Sequence, residues 1–299
     1  MRLVEMLRDT VKVSTRVLDR FEQLPYHLSE LSSEGVTDLF ISSGDGTIQA
    51  IQTELGERNP FAHLPRLSLM PHGTTNMTAA DLGFRHHSIT AQAEYIRNLE
   101  PSHTRDRHTL RVVNPLDEKP RHGMFLGTGA ISEASLYCQS VLNARGLKGS
   151  WATFATLARA TGRTMFSKPN PNDETRFDRP YPLQVTVEGK EICSGAQLLL
   201  LSTTLEKLIL NAKPFWGGAT GPIRTTVLPY PVPNIPRWLV PMMYASETRN
   251  TPKGALSIST YNLEITCPIS YVIDGEFFDG PKETPLRVET GPFFTYLCG

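Results

Sequence analysis

The chain is expected to fold as two domains, an N-terminal α/β domain with parallel strands followed by a mainly antiparallel β domain. Three observations point there. At about 100 to 200 residues per domain, 299 residues suggest two cores rather than one. Up to residue 108, short apolar runs alternate with stretches of helical spacing, which is how strands and crossover helices of a parallel sheet read. Beyond it, strand-like runs follow one another with a single helical stretch among them, the texture of an antiparallel domain.

Taken in order, residues 1–33 bring Leu3, Met6, Leu7, Val11, Val17, Leu18 and Phe21 back near the 3.6-residue period, which predicts helix ended at Gly35. Residues 36–42 form a short apolar strand. A tight glycine-containing turn follows, and Ile48, Ile51 and Leu55 space a helix over 47–55. The unit repeats as strand 67–70, loop 71–76 and a helix over 77–82 stopped by Gly83. In the second half, 109–113, 123–126, 183–187, 197–201, 255–260 and 264–273 read as strands, and only 131–162 keeps a helical pattern. Residues 167–182, rich in Pro, Asn and Asp, read as a surface loop. Seven prolines between 214 and 241 predict an irregular segment with neither helix nor central strand. The expected domains are 1–108 and 109–299, with the last strand returning to the first domain.

Charge and composition exclude several classes. With 30 Lys+Arg against 30 Asp+Glu and no basic arm, the chain lacks the clustered positive charge that nucleic-acid phosphates demand. The longest apolar stretch, 196–201, falls far short of the roughly 20 residues needed to cross a bilayer. Nothing at the N-terminus resembles a signal peptide, so a soluble, cytoplasmic protein is expected. Cys138, Cys193, Cys267 and Cys298 lack the close spacing of a zinc knuckle or a disulfide framework and are expected to be reduced and mostly buried. All eight histidines precede residue 123, and neither His86-His87 nor His103 with His108 has the i, i+4 spacing of a helical metal pair.

The most informative stretch is Ser42-Ser43-Gly44-Asp45-Gly46-Thr47, set between a strand and a helix. Two glycines let the backbone turn tightly and approach a ligand, and the first N–H groups of the helix form an anion site. Asp45 would repel a phosphate unless it coordinates a cation, accepts a hydroxyl proton or fixes the loop. The bland alternative is a turn with a helix cap. A second polar loop, Pro71-His72-Gly73-Thr74-Thr75-Asn76, also follows a strand and precedes a helix. Two such loops at the carboxyl ends of parallel strands lie where α/β sheets bind ligands.

These residues bring out a family. SSGDGTIQAI resembles the glycine-rich GGDGT segment of the diacylglycerol kinase catalytic domain, and PHGTTNMTAADLG is similar to its second signature, a Pro-x-Gly-Thr-x-Asn loop leading to a helix and a Leu-Gly pair. Ile273-Asp274-Gly275-Glu276 resembles the family's late Asp-Gly-Glu; read alone, Asp274-Gly275 between apolar strands is a hairpin turn. FLGTG at 125–129 and Trp216-Gly217-Gly218 fall in order where the family has glycine-containing segments. The resemblance covers about 35–290 and implies an α/β nucleotide-binding domain followed by a β-sandwich-like domain. It also implies transfer of the ATP γ-phosphate to a hydroxyl of a diacylglycerol- or sphingosine-like lipid, with Mg²⁺, at the inner face of the membrane.

On this resemblance Ser43, Gly44, Gly46 and Thr47 cradle phosphates, while Gly73, Thr74 and Asn76 contact nucleotide or hold the neighbouring loop. Glu276 matches the proton acceptor of bacterial lipid kinases and Asp45 the acid favoured in sphingosine kinases; Asp274 shares the catalytic turn. Both acids stay open as the base. Three features depart from the family. No Asn-Pro-x-x-Gly loop occurs among the 43 residues before Gly44, so the N-terminal domain is expected to be truncated. Ser43 replaces the first glycine of GGDGT. Ile223-Arg224-Thr225-Thr226-Val227 replaces an acidic segment linked to structural Mg²⁺, so no metal ligands are assigned.

The Asn-Thr-Asp-Gly segment of NAD kinases and the Asp-Asn-Asp pattern of phosphofructokinases are both missing. The aromatics of 213–244, beside Lys213, Arg224 and Arg237, suit a membrane interface or, alternatively, pack on the β domain. The alternative function is a non-catalytic lipid- or nucleotide-binding descendant.

Overall fold

The structure, a computed structural model, describes residues 2–8, 10, 13–73, 76–99, 103–137, 176–245, 250–266 and 270–298. The chain divides into two compact units, Met1–Arg107 with Pro292–Gly299, and His108–Gly291.

In the first unit, strand β1 (Asp38–Ser43) pairs in parallel with β2 (Arg66–Pro71), joined by helix α3 (Asp45–Arg58). Leu67, Ser68, Leu69 and Met70 are buried in succession, as in a parallel strand covered on both faces. The spacing of Ile48, Ile51 and Leu55 turns one face of α3 inward. They pack with Ile41, Leu67 and Leu69 and with Phe294 and Tyr296 near the chain's end. Buried Gln52 on the same face donates its Nε2 to Tyr296 Oη at 2.8 Å. Helix α4 (Met77–Leu82) ends at Gly83, whose φ of 82° makes it a left-handed cap. Helix α5 (Ile89–Arg97) was not anticipated; Ser88 Oγ caps it, accepting from Ala91 N–H at 3.2 Å.

The expected helix over 1–33 is two helices, α1 (Arg2–Leu7) and α2 (Leu24–Ser33), with residues 13–20 non-helical between them. Pro25 explains the second start: it lacks an N–H and is tolerated in the first turn of α2 but not inside one long helix.

The second unit is a sandwich of two sheets. One contains β5 (Phe125–Gly129), β6 (Tyr181–Pro182), β9 (Ala196–Thr203), β10 (Ile223–Pro229), β11 (Leu256–Thr260), β13 (Tyr271–Ile273) and β14 (Glu276–Phe278), in the path β11-β10-β9-β5-β13-β14 with β6 beside β9. The other draws on β3 (Thr104–Val112), β4 (Arg121–Gly123), β7 (Gln184–Val187), β8 (Lys190–Cys193), β12 (Asn262–Thr266) and β15 (Leu286–Leu297). Leu110, Val185, Leu263 and Val288 from the second sheet share one core with Leu126, Leu200, Val227 and Tyr271 from the first. Strand β12 shows the period-two alternation that this demands, burying Leu263 and Ile265 and exposing its other residues.

Two expectations fail here. The proline-rich 214–241 contains a central strand, β10, paired on both sides, and most of helix α7 (Ile235–Met243). The prolines sit where they are tolerated: Pro229 at the strand's last position, Pro236 in the helix's first turn. Only Pro241 lies inside a helix. The described end of the expected surface loop is buried instead, with Arg176 bridging Asp178 through Nε at 2.8 Å and Asp178 only 9% exposed. Helix α6 (Ala130–Tyr137) opens the stretch predicted helical, whose remainder lies outside the described residues. Cys193 and Cys298 are free thiols but only half-buried, and Cys138 and Cys267 are outside the described residues. Among the described residues no helix is long and apolar enough to cross a membrane.

Candidate active site

Strands β1 and β2 run in register from Asp38 opposite Arg66 to Ser43 opposite Pro71, so their carboxyl ends stop level and release two loops side by side. Gly44 is the N-cap of α3 and contributes no side-chain cap, which leaves the positive end of a 14-residue helix open to an anion. Its carbonyl accepts from Thr47 N–H at 3.2 Å and Ile48 N–H at 3.3 Å, closing the first turn. Ser43 Oγ donates to Thr47 Oγ1 at 2.8 Å across that turn. Gly46 lies half-buried in the same turn.

The second loop presses on the first. A Cβ on Gly73 would lie 2.5 Å from Gly44 Cα and 2.9 Å from Asn76 Oδ1, so only glycine fits. Asn76, in the left-handed region at φ 51°, closes this loop from its other end. Its Oδ1 accepts Gly73 N–H at 2.8 Å and its Nδ2 donates to Gly73 O at 2.7 Å. Ser42 Oγ and His72 Nδ1, 2.6 Å apart, tie the loops at a second point. Neither had been given a role; their signal was adjacency, since Ser42 precedes the GGDGT-like segment and His72 precedes Gly73.

Asp45 begins α3 as a half-buried residue whose Oδ1 is itself buried and has no hydrogen-bond partner in the described structure. Loss of solvent raises its pKa to about 6, against the opposing pull of the Met77 and Asn76 backbone N–H groups. A perturbed carboxylate beside a glycine-built anion cradle has the environment of a functional acid. Ser43, Gly44, Asp45, Gly46, Thr47, Gly73 and Asn76 therefore come together in the first unit, while Thr74 lies outside the described residues.

Asp274 and Glu276 belong to the second unit. The hairpin β13–β14 turns at Asp274 and Gly275, with φ 47° and 91°, the two positive values of a type I′ turn. Asp274 is buried, and its two oxygens accept the N–H groups of Met124 and Phe125, each at 2.9 Å. That carboxylate anchors the turn to the neighbouring strand. Glu276 stands exposed at the start of β14. Gly217 has a packing role: a Cβ there would meet Ser257 O at 2.3 Å. Where the family's acidic segment would lie, Thr225 Oγ1 bonds Ser202 Oγ at 2.8 Å and Thr226 Oγ1 donates to Pro214 O at 2.5 Å.

Residues 2–105 match the family model of the diacylglycerol kinase catalytic domain. No curated protein matches the chain. Among solved structures, a diacylglycerol kinase from Bacillus anthracis str. Sterne is 14% identical, with a TM-score of 0.60 over 95% of this chain and 84% of that one. A "putative diacylglycerol kinase" from the same organism is 14% identical, with a TM-score of 0.64 over 100% of this chain and 92% of that one. Another crystal structure so named gives 15% identity and a TM-score of 0.62 over 94% and 83%. At such identities the likeness is one of fold. The matched segment, about a third of the chain, carries both loops described above, so it is over residues 2–105 that the chain is similar to the diacylglycerol kinase catalytic domain.

Proposed function

We propose that the protein is an ATP-dependent lipid kinase that transfers the γ-phosphoryl group to a lipid hydroxyl. The observation that carries this reading is Asp45, a carboxylate with a buried, unpartnered Oδ1 beside two loops that meet glycine to glycine. The N-terminus of α3 and the backbone of Gly44 and Gly73 supply a surface for phosphate oxygens, with Ser43, Thr47 and Asn76 holding its shape.

In the transfer, the lipid oxygen forms a bond to the γ-phosphorus as the bond to the bridging oxygen breaks and ADP leaves. The hydroxyl proton passes to a carboxylate. With a pKa near 6, Asp45 is a better acceptor than an ordinary acid and is still ionised at neutral pH. Phosphoryl transfer through a loose transition state demands orientation more than strong base, which a carboxylate held at a helix start provides.

The described residues do not build a resident Mg²⁺ site. Among them no three His, Cys, Asp or Glu side chains gather. Asp45 is the lone carboxylate at the loops, and backbone N–H groups already pull on it. Mg²⁺ would accompany ATP as its counter-ion.

The test is transfer of label from the γ-phosphate of ATP to a panel of extracted lipids. Label in one lipid class, abolished by Asp45→Asn in a folded protein, supports the assignment. Absence of both transfer and calorimetric Mg-ATP binding would instead favour a non-catalytic descendant.

A further inference from the structure

We infer that the second unit carries a binding site for a neutral polyol ring, a sugar or cyclitol, in a cavity at the open edge of its sandwich. The cavity measures about 350 Å³ and is lined by Leu116, Asp117, Arg121, Phe277, Phe278 and Asp279. That size falls among small-molecule sites, which run from about 300 to 1,000 Å³. Strand β14 ends one sheet, and β4, which among the described residues pairs only with β3, is an edge of the other. The link 113–120 between β3 and β4 completes the wall. It is held to the hairpin by Leu116 N–H, which donates to Asp279 O at 3.0 Å.

Unspent hydrogen-bonding capacity sets this cavity apart. Arg121 lays its guanidinium over the Phe278 ring, 4.2 Å from the centroid, and its Nη2 pairs with Asp117 Oδ2. Its Nε is buried and has no hydrogen-bond partner among the described residues. Tyr271, opposite Phe278 in the hairpin and only 2% exposed, has a buried hydroxyl in the same condition. Burial raises the pKa of that hydroxyl, and the charges acting on it are three that line the cavity: Arg121, which opposes the rise, and Asp117 and Asp279, which add to it. The hydroxyl therefore keeps its proton and sits among the cavity's charged groups. A buried donor without an acceptor carries a desolvation penalty that a ligand oxygen removes.

The lining decides between ligands. An ammonium ion has no acceptor to offer Arg121 Nε or the Tyr271 hydroxyl. A carboxylate or phosphate would meet two exposed acids, Asp117 and Asp279, against one guanidinium that is already paired. A purely apolar molecule would leave both donors unpaired. A ring hydroxyl accepts and donates at one atom, so a polyol can take the bonds of Arg121 and Tyr271 while giving its own to the two acids. Asp279 Oδ1 accepts Ser270 Oγ at 2.5 Å, which holds that carboxylate in place. The C–H faces of such a ring suit walls made by Leu116, Phe277 and Phe278. The proposal concerns the second unit alone and does not depend on the phosphotransfer reading.

It is tested by saturation-transfer NMR on the full chain, without nucleotide, titrated with myo-inositol, glucose, gluconate and tetramethylammonium. At least one of the two neutral polyols is expected to bind saturably, and the two charged probes roughly tenfold or more weakly. Tyr271→Phe deletes only the hydroxyl and is expected to weaken the polyol roughly two- to tenfold, the worth of one neutral hydrogen bond. It should also unfold no earlier than wild type, because it removes a buried hydroxyl that no described residue pairs with. A tyrosine that merely packs in the core would give the second result without the first. Arg121→Lys, which keeps the charge and removes Nε, and Asp117→Asn, at an exposed position, are each expected to weaken binding as well, with a thermal melt to show that they remain folded. The proposal is overturned if neither polyol binds, if a charged probe binds as tightly, or if Tyr271→Phe and Asp117→Asn both bind like wild type. Loss of label transfer with polyol binding intact would count against the proposed function and leave this site standing.

Discussion

Gly73 and Gly44 meet backbone to backbone, with the space for a Cβ on Gly73 ending 2.5 Å from Gly44 Cα. The contact packs the two glycine-bearing loops of the first unit against each other, and it is lost if the second loop gains a side chain. Gly73→Ala must push the loops apart or strain them, at about 1–3 kcal/mol. Thermal unfolding should show a lowered midpoint, and calorimetry a loss of Mg-ATP affinity. Gly44→Ala, whose Cβ would stand 3.3 Å from Gly73 Cα, should be milder on both measures. Equal melting of Gly73→Ala and wild type would contradict the contact.

In the proposed function, Asp45 ties activity to stability. Its pKa in the fold, about 6, lies above its ordinary value of 3.8, because burial penalises the charged form. The folded chain therefore binds this proton more tightly than the unfolded chain. The resulting stability is fully present below about pH 4 and is lost as pH rises through about 6. At pH 7 the ionised carboxylate costs stability, so Asp45→Asn should stabilise the protein there by about 1–2 kcal/mol, allowing for partial solvation. Near pH 4 the same change should have little effect. Urea unfolding at the two pH values measures this, and a variant destabilised at pH 7 would refute it.

Activity should follow the same titration in the opposite sense. Below about pH 6 Asp45 takes up its proton and cannot accept another, so kcat/KM for label transfer should fall as pH falls through that value. A profile flat from pH 5 to 7 would remove Asp45 as the base and leave Glu276 as the candidate.

The site was more legible than the frame around it, for physical reasons. The loops of the first unit are specified locally, by glycines, by Asn76 and by apolar strands of a few residues, and the helix expected over 77–82 is α4 as found. The contact between Gly44 and Gly73 is set by the parallel register of β1 and β2, which no local pattern encodes. Long-range pairing also explains the failure over 214–241: Thr225, Thr226 and Val227 are strand formers, and partners on both sides outweigh the nearby prolines. Residues 1–33 misled because apolar periodicity does not show a break between helices; Pro25, in the first turn of α2, is the residue that carries that break. The motif places Asp274 beside Glu276, and only the fold reveals Met124 and Phe125 at its oxygens.

That last difference separates the two acids of the hairpin experimentally. Asp274→Ala removes the acceptor for two backbone N–H groups, one of them on fully buried Met124, and should cost about 2–4 kcal/mol of stability. Asp274→Asn keeps one acceptor oxygen but offers an NH₂ to the other donor, so it should fall between Ala and wild type. Glu276 is exposed at the start of β14, and Glu276→Gln should leave the unfolding free energy within about 0.5 kcal/mol of wild type. If Glu276 takes the hydroxyl proton, the same variant should lose roughly 10²- to 10⁴-fold in kcat with an unchanged fold. Denaturant unfolding and label transfer on the three variants therefore read two different properties of one turn. A destabilised Glu276→Gln, or an Asp274→Ala as stable as wild type, would reverse the roles assigned to these neighbours.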